Sequence, residues 1–424
     1  MTGLSINVRW LNGDLDQSEE TVTFAEIAVL VASALVTKTY DPVQKEISEG
    51  ARLPAVVLAA GVAENWWSLL YEPQKRQGDR LFEARHRLDA LTRGYAFPPL
   101  GIWSGGDTVM AGLFRPDTRF QQQQFLLPDQ RDSWALARNE VETALRAFIA
   151  ETISRLGSPD KNVHETWRRI CASEQDPAER EWCVNAGRLG LDPYDPDTPD
   201  LERIKGTLSE ELFADLCEAA EPDELSPVAN WVRDASRRLR YAPTIMTRGF
   251  GAAPRPDFGR RPYTEGYAAA RLLRTRMSLT ETPQWAPDTL LGNAATSDRA
   301  TLLNGAPLVE GLARRENNEI RLAVAAVSHR QRRFRLCRSI YLAWRSSGST
   351  VAATTASTWR QQASRALAAE LLAPADLLRD RAGNAGLTEG DIDVLANELG
   401  CPATAIIRQA QNHNVALRDV RLPV

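Results

Sequence analysis

The chain has 424 residues, long enough for two or three domains. Hydrophobic content of 43% and charged content of 25% are those of an ordinary globular protein. A formal net charge of −4 argues against a protein that coats nucleic acid with its whole surface, and no apolar run approaches the length of a membrane span.

Residues 1–125 read as a mixed region with strands prominent. "SINVRWL" and "ETVTFAEIAVLV" carry period-2 alternation or β-branched runs, and "LVTKTYDP" predicts a strand ending at a Pro turn. "PAVVLAAGVAENWWSLLYEP" predicts a helix ending near Pro73. Neighbouring helical positions lie about 100° apart. Trp66, Trp67 and Tyr71 form an aromatic cluster that is expected in the core, although Trp66 and Trp67 cannot both face inward on one helix and one of them is expected to anchor the domain interface. "FPPLGIWSGGDTVMAGLF" places a Gly-Gly-Asp turn between two short strands, a hairpin.

Residues 126–241 read as helical. "SWALARNEVETALRAFIAETISRLG" keeps an apolar face over many turns and stops at Gly157; "HETWRRICASEQ", "AEREWCVNAGRLG" and "SEELFADLCEAA" are shorter helices. "DPYDPDTPD" gathers Asp192, Asp195, Asp197 and Asp200. Without a turn glycine and a bidentate Glu it reads as an acidic loop, not a calcium site. The density of Pro and Gly over 242–262 marks a linker or exposed loop, after which "YTEGYAAARLLRTRM" opens a new helix. Residues 285–318 look loop-rich, and from 328 onward the pattern is almost wholly helical.

The reactive side chains are sparse. Cys171, Cys183, Cys217, Cys337 and Cys401 are scattered and odd in number, without a Cys-x-x-Cys pair. They read as reduced thiols of a cytoplasmic protein. The opening "MTGLSINVRW" lacks the basic and apolar regions of a signal peptide, in line with that expectation. No two of His86, His164, His329 and His413 lie three to five apart, so there is no local zinc-ligand pair. "SGGD" at 104–107 reads as a turn, not a phosphate cradle.

"FRLCRSIYLAW", residues 334–344, puts Phe334, Cys337, Tyr341 and Trp344 on one helical face and Leu336, Ile340 and Ala343 on a second. Such a helix is buried, yet Arg338 sits in its middle. "RQQASRALAAELLAPADLL" follows as a helix whose Ala363, Ala366, Ala369 and Ala373 permit close helix packing, and it stops before Pro374. Thr388 with Asp391 forms a capping box, Gly400 ends that helix, and another starts at Pro402.

Residues 262–415 resemble the ImmA/IrrE family of metallo-endopeptidases. The family's C-terminal half reads roughly Glu-x-x-Ala-Asn-x-Phe-Ala-Ala-Glu-Leu-Leu-Met-Pro and then Leu-Ala-x-x-Phe-Gly-Val-Ser. The corresponding text here is "QQASRALAAELLAP" and "VLANELGCPATAIIRQAQN". Upstream the family carries Phe-x-x-Ala-His-Glu-x-x-His, whose histidines bind zinc while the glutamate activates water. The resemblance puts Arg338 at the first His, Ser339 at the Glu, Leu342 at the second His, and Gln361 at the Glu that is the third ligand. All four chemical positions have changed. Arginine is a permanent cation with no lone pair to give, so the resemblance implies a retained fold with a vacated metal site and no cofactor. Glu370 is a retained carboxylate whose family counterpart is not a ligand.

The expected fold class is therefore α+β and predominantly helical. It comprises a small strand-containing domain over 1–125, a helical domain over 126–241, a linker over 242–262, and a zincin-like ImmA/IrrE-type helical domain over 263–424. The function expected from the resemblance is a non-catalytic regulatory or interaction protein of bacterial stress, mobile-element or phage-defence type, acting on a protein partner. Arg338 and Gln361 are candidate binding residues, with Arg338 either paired to a carboxylate or open to an anion. Two alternatives stay open. One is a zinc endopeptidase with relocated ligands such as His329 or Glu370. The other is a nucleic-acid-binding regulator using the arginines of 330–338, above all Arg332, Arg333 and Arg335.

Overall fold

In the computed structural model, residues 3–11, 18–41, 45–115, 124–128, 133–157, 162–255, 257, 261–279, 286–301, 307–326, 328–346 and 348–421 are described. The fold is mixed α and β, 52% helical and 19% strand. Two compact units divide the chain, Met1–Glu202 and Arg203–Val424.

The first unit is built on antiparallel strands. Phe24–Val31 pairs with Leu4–Trp10, Ala34–Leu35 and Ala51–Pro54, and its inward positions Ile27, Val29 and Val31 are fully buried. The expected hairpin forms between Leu100–Ser104 and Thr108–Leu113, and Trp134–Ala137 adds a third strand. That last strand falls inside the stretch expected to be helical from 133; the helix begins only at Arg138 and ends at Gly157 in a left-handed conformation. The helix predicted through Pro73 is broken at Asn65 into Ala55–Glu64 and Trp66–Tyr71.

The aromatic cluster is core as expected, but the expectation that Trp66 and Trp67 cannot both face inward fails. Both are buried, because the six-residue helix Trp66–Tyr71 is covered on more than one side. Trp66 meets Trp167 edge to face at 5.0 Å, while the Trp67 indole donates to the Tyr194 hydroxyl at 3.1 Å on the other side. The 192–200 segment is the acidic loop expected. Its carboxylates turn back onto the chain, Asp192 accepting from the Tyr194 amide and Asp195 from the Asp197 amide, each at 2.9 Å.

The second unit has a four-stranded antiparallel sheet in the order Thr244–Met246, Glu319–Val324, Val309–Glu316, Thr350–Thr354. This sheet corrects three expectations. Thr244–Met246 and the buried Phe250 tie the supposed linker into the core, Val309–Glu316 lies in the region read as loop, and Thr350–Thr354 interrupts the wholly helical end. Short strands of three to eight residues with Arg and Glu between apolar positions give little periodic signal. The helices Glu210–Ala219 and Pro222–Leu239, read with the middle domain, belong to this unit.

Against the sheet lies the helix His329–Arg345, capped by the Ser328 hydroxyl and buried without a break from Leu336 to Trp344. The alanine-rich helix Trp359–Leu372 packs on it and on Pro262–Arg276. At that second crossing a Cβ on Gly266 would stand 2.3 Å from the Ala363 carbonyl oxygen, so only glycine allows the approach. Ala363 and Ala366 are the small residues facing it. The Thr388–Asp391 capping box and the left-handed Gly400 form as the sequence implied.

Candidate functional site

The sequence question about Arg338 has a geometric answer. Its side chain is 1% exposed, on a helix that lies across three strands of the sheet. Nη1 forms an ion pair with the Glu310 carboxylate. Nη2 donates to the Gln361 Oε1 and to the Thr354 carbonyl, both at 2.8 Å, and Nε donates to the Ser364 hydroxyl at 3.2 Å. Glu310 can reach it because the strand Val309–Glu316 carries a bulge there: Val309 opposes Thr354 and Gly311 opposes Ala353, leaving Glu310 as the extra residue. A bulge re-aims a side chain that regular alternation would send elsewhere.

Gln361, fully buried, completes the arrangement. Its Oε1 also accepts from the Thr354 amide at 3.1 Å, and its Nε2 donates to the Ala352 carbonyl at 2.8 Å. The amide thus satisfies the open edge of Thr350–Thr354 as a neighbouring strand would. Ser339 turns its hydroxyl back to the Arg335 carbonyl at 2.9 Å, and Leu342 lies in the hydrophobic core. Of the four positions singled out, Arg338 and Gln361 are brought together and the other two face packing.

A cavity of about 720 Å3 adjoins this cluster. Tyr263, Tyr267 and Phe334 supply aromatic wall, Ala366, Ala369 and Ala405 small apolar wall, and Gln331, Gln362, Gln409 and Asn412 amides. Its charged lining is Arg335, Arg365, Arg408 and Glu310. Arg335 donates to the Ala325 carbonyl and lies 3.4 Å from Glu310. Arg365 donates to the Thr354 carbonyl at 3.0 Å, and no carboxylate among the described residues pairs with it. Burial pulls its pKa down to about 10. Burial, together with the like charge of Arg365, also pulls Arg338 well below its ordinary value.

The arginines of 330–338 do not share one outward face. Arg330 reaches Asn397, Arg332 the Thr301 hydroxyl at 2.7 Å, and Arg333 the Leu399 carbonyl at 2.9 Å, while Arg335 and Arg338 meet at Glu310. None of the five is exposed, which works against a phosphate-tracking stripe. Glu370 is 4% exposed and held by Arg271 at 3.1 Å, the Ala375 amide at 3.3 Å and Gln409. Among the described residues, no group of three His, Cys, Asp or Glu could hold a metal ion.

The sequence reading missed Glu310, Arg365 and the tyrosines. Arg365 was open to discovery: it follows Gln361 by four residues, on the same helical face, amid alanines. Glu310 carried no signal, because its role comes from a bulge. Among the described residues, no helix is long and apolar enough to cross a membrane. Compared with family models, with curated proteins and with solved structures, the chain matches none.

Proposed function

We propose that the chain is a non-catalytic, protease-like regulatory protein whose 263–424 region has the zincin-like ImmA/IrrE fold without its zinc, acting in the bacterial cytoplasm by binding a protein partner. The observation that carries this reading is the bond between Arg338 and Gln361, two positions that the resemblance assigns to zinc ligands. The residues present do not fit the metal. A guanidinium, a hydroxyl, an alkyl chain and an amide stand at the four positions, and the guanidinium is a cation where a cation would have to sit. The guanidinium is held by four partners, so its place is structural. The close crossing of the alanine-rich helix fits the packing half of the resemblance. The protein partner follows from the resemblance, whose family regulates through helix-turn-helix repressors.

Elemental analysis of the full chain after dialysis against zinc tests the reading. A zinc content well below one per chain is expected. One zinc per chain, with peptide hydrolysis lost on chelation, would replace this reading with that of an active endopeptidase.

A further inference from the structure

The cavity beside Arg338 has a charge imbalance that its own residues leave standing. Glu310 is its one lining carboxylate among the described residues, and Glu310 is already engaged by Arg338 from behind the wall. Arg338 is occupied at each of its three nitrogens by Ser364, Thr354, Gln361 and Glu310. Arg335 and Arg365 therefore face the cavity in a field that is cationic on balance, with Arg338 adding like charge. Carbonyls are their main partners, and a carbonyl satisfies a donor without neutralising a charge. Arg335 shares the Glu310 carboxylate with Arg338, and Arg365 has no carboxylate among the described residues; two to three half-buried cations around one anion are destabilising unless something anionic arrives.

We propose that this cavity binds a small organic anion, its phosphate or carboxylate group held by Arg335 and Arg365 and its body against Tyr263, Tyr267 and Phe334. A planar guanidinium fork matches either group in two-point fashion. A volume of about 720 Å3 is that of a small-molecule site, and the lining has the usual mixture of apolar wall with a few aimed polar groups. Gln409 supplies an independent sign. It is 1% exposed and lines the cavity, and its Oε1 has no hydrogen-bond partner while its amide nitrogen is spent on Glu370. It is an acceptor for which the described residues supply no donor. The inference goes beyond the protease-like reading, since it rests on the charge and shape of the cavity.

Thermal unfolding of the full chain with inorganic phosphate, with citrate, and with chloride at matched ionic strength tests it. A saturable rise in the midpoint with phosphate or citrate over chloride is expected, with half-saturation at least tenfold weaker in R365Q. Response to phosphate alone assigns a phosphate-bearing ligand, and response to citrate alone a carboxylate. In chloride R365Q should melt at or above the parent, because an unpaired charge has been removed; a purely structural arginine would lower it. Should R365Q fail to fold, R335Q must show the same tenfold weakening. No saturable response in either arm, or an equal response in the variants, overturns the proposal. A zinc content of one per chain would sink the protease-like reading and leave these titrations unaffected.

Discussion

Each unit buries a charge, and the two do so in opposite ways. In the first, Glu72 is 4% exposed and enclosed by side chains close in sequence: Arg85 at 2.9 and 2.5 Å and the His86 ring nitrogen at 2.9 Å. The other ring nitrogen of His86 stands 2.6 Å from the Ile102 carbonyl, and Phe82 stacks on the ring at 4.0 Å. Burial works against the Glu72 charge, but the bonds from His86 and Arg85 overcome it and hold its pKa below the ordinary carboxylate value. In the second unit the buried charge is a cation, and its partners come from a bulge, a sheet edge and a second helix. Around it guanidiniums outnumber carboxylates. The first cluster is closed and structural; the second is closed at Arg338 and open at Arg365. Burial of a charge is thus no mark of function, whereas a charge that its own fold leaves unbalanced beside a cavity is one.

The largest expected break in this contrast comes from removing Arg338. Arg338→Ala should destabilise the second unit by about 3–5 kcal/mol in urea unfolding, since Gln361, Thr354 and Glu310 all lose a donor. Arg338→Met combined with Glu310→Leu should recover part of that loss, because a buried pair replaced as a pair is far less harmful than a broken one. A double variant as unstable as R338A would mean that Glu310 contributes little.

The closed cluster should be less sensitive. Glu72→Gln keeps an acceptor but removes the charge, and about 1–3 kcal/mol is expected from the first unit. Its pH dependence has a definite sign. With the folded pKa lowered, Glu72 stabilises above its unfolded value of about 4.5, and the contribution is lost as pH falls through the lower folded value. E72Q should therefore show a flatter acid limb. A limb as steep as the parent's would place the acid sensitivity elsewhere.

Asp215 runs the other way. It is 1% exposed, accepts from the Ala352 amide at 2.9 Å and pairs with Arg360, yet burial raises its pKa from 3.8 to about 7, with Glu218 and Glu211 adding to the rise. A raised folded pKa gives stability that is full below about 3.8 and is lost as pH rises through about 7. The stability of D215N relative to the parent should improve across that window by about 1 kcal/mol or more. A difference that is flat with pH would mean that Asp215 stays ionised throughout. The smallest effect is that of Arg365→Gln on stability in chloride, which should be neutral or slightly favourable.

Helices with strong endpoints and long apolar faces are legible from the chain alone. Gly157 and Gly400 stop where a left-handed residue is needed, Thr388 and Asp391 close a capping box, and the alanines of Trp359–Leu372 announce a close crossing. The sequence also raised the right question at Arg338, because an arginine inside an apolar helical pattern must find partners or be absent. These are local signals, written within one or two turns of chain. The identity of those partners emerges with the folded arrangement. Glu310, Thr354, Gln361 and Ser364 lie 16 to 28 residues from Arg338. A bulge and a sheet edge deliver them, and neither leaves a periodic trace. Short strands hid the sheet, and both neighbouring tryptophans became core because Trp167 closes on one and Tyr194 on the other. Burial and charge balance are sums over distant neighbours, so the imbalance around Arg365 exists only once the chain has folded.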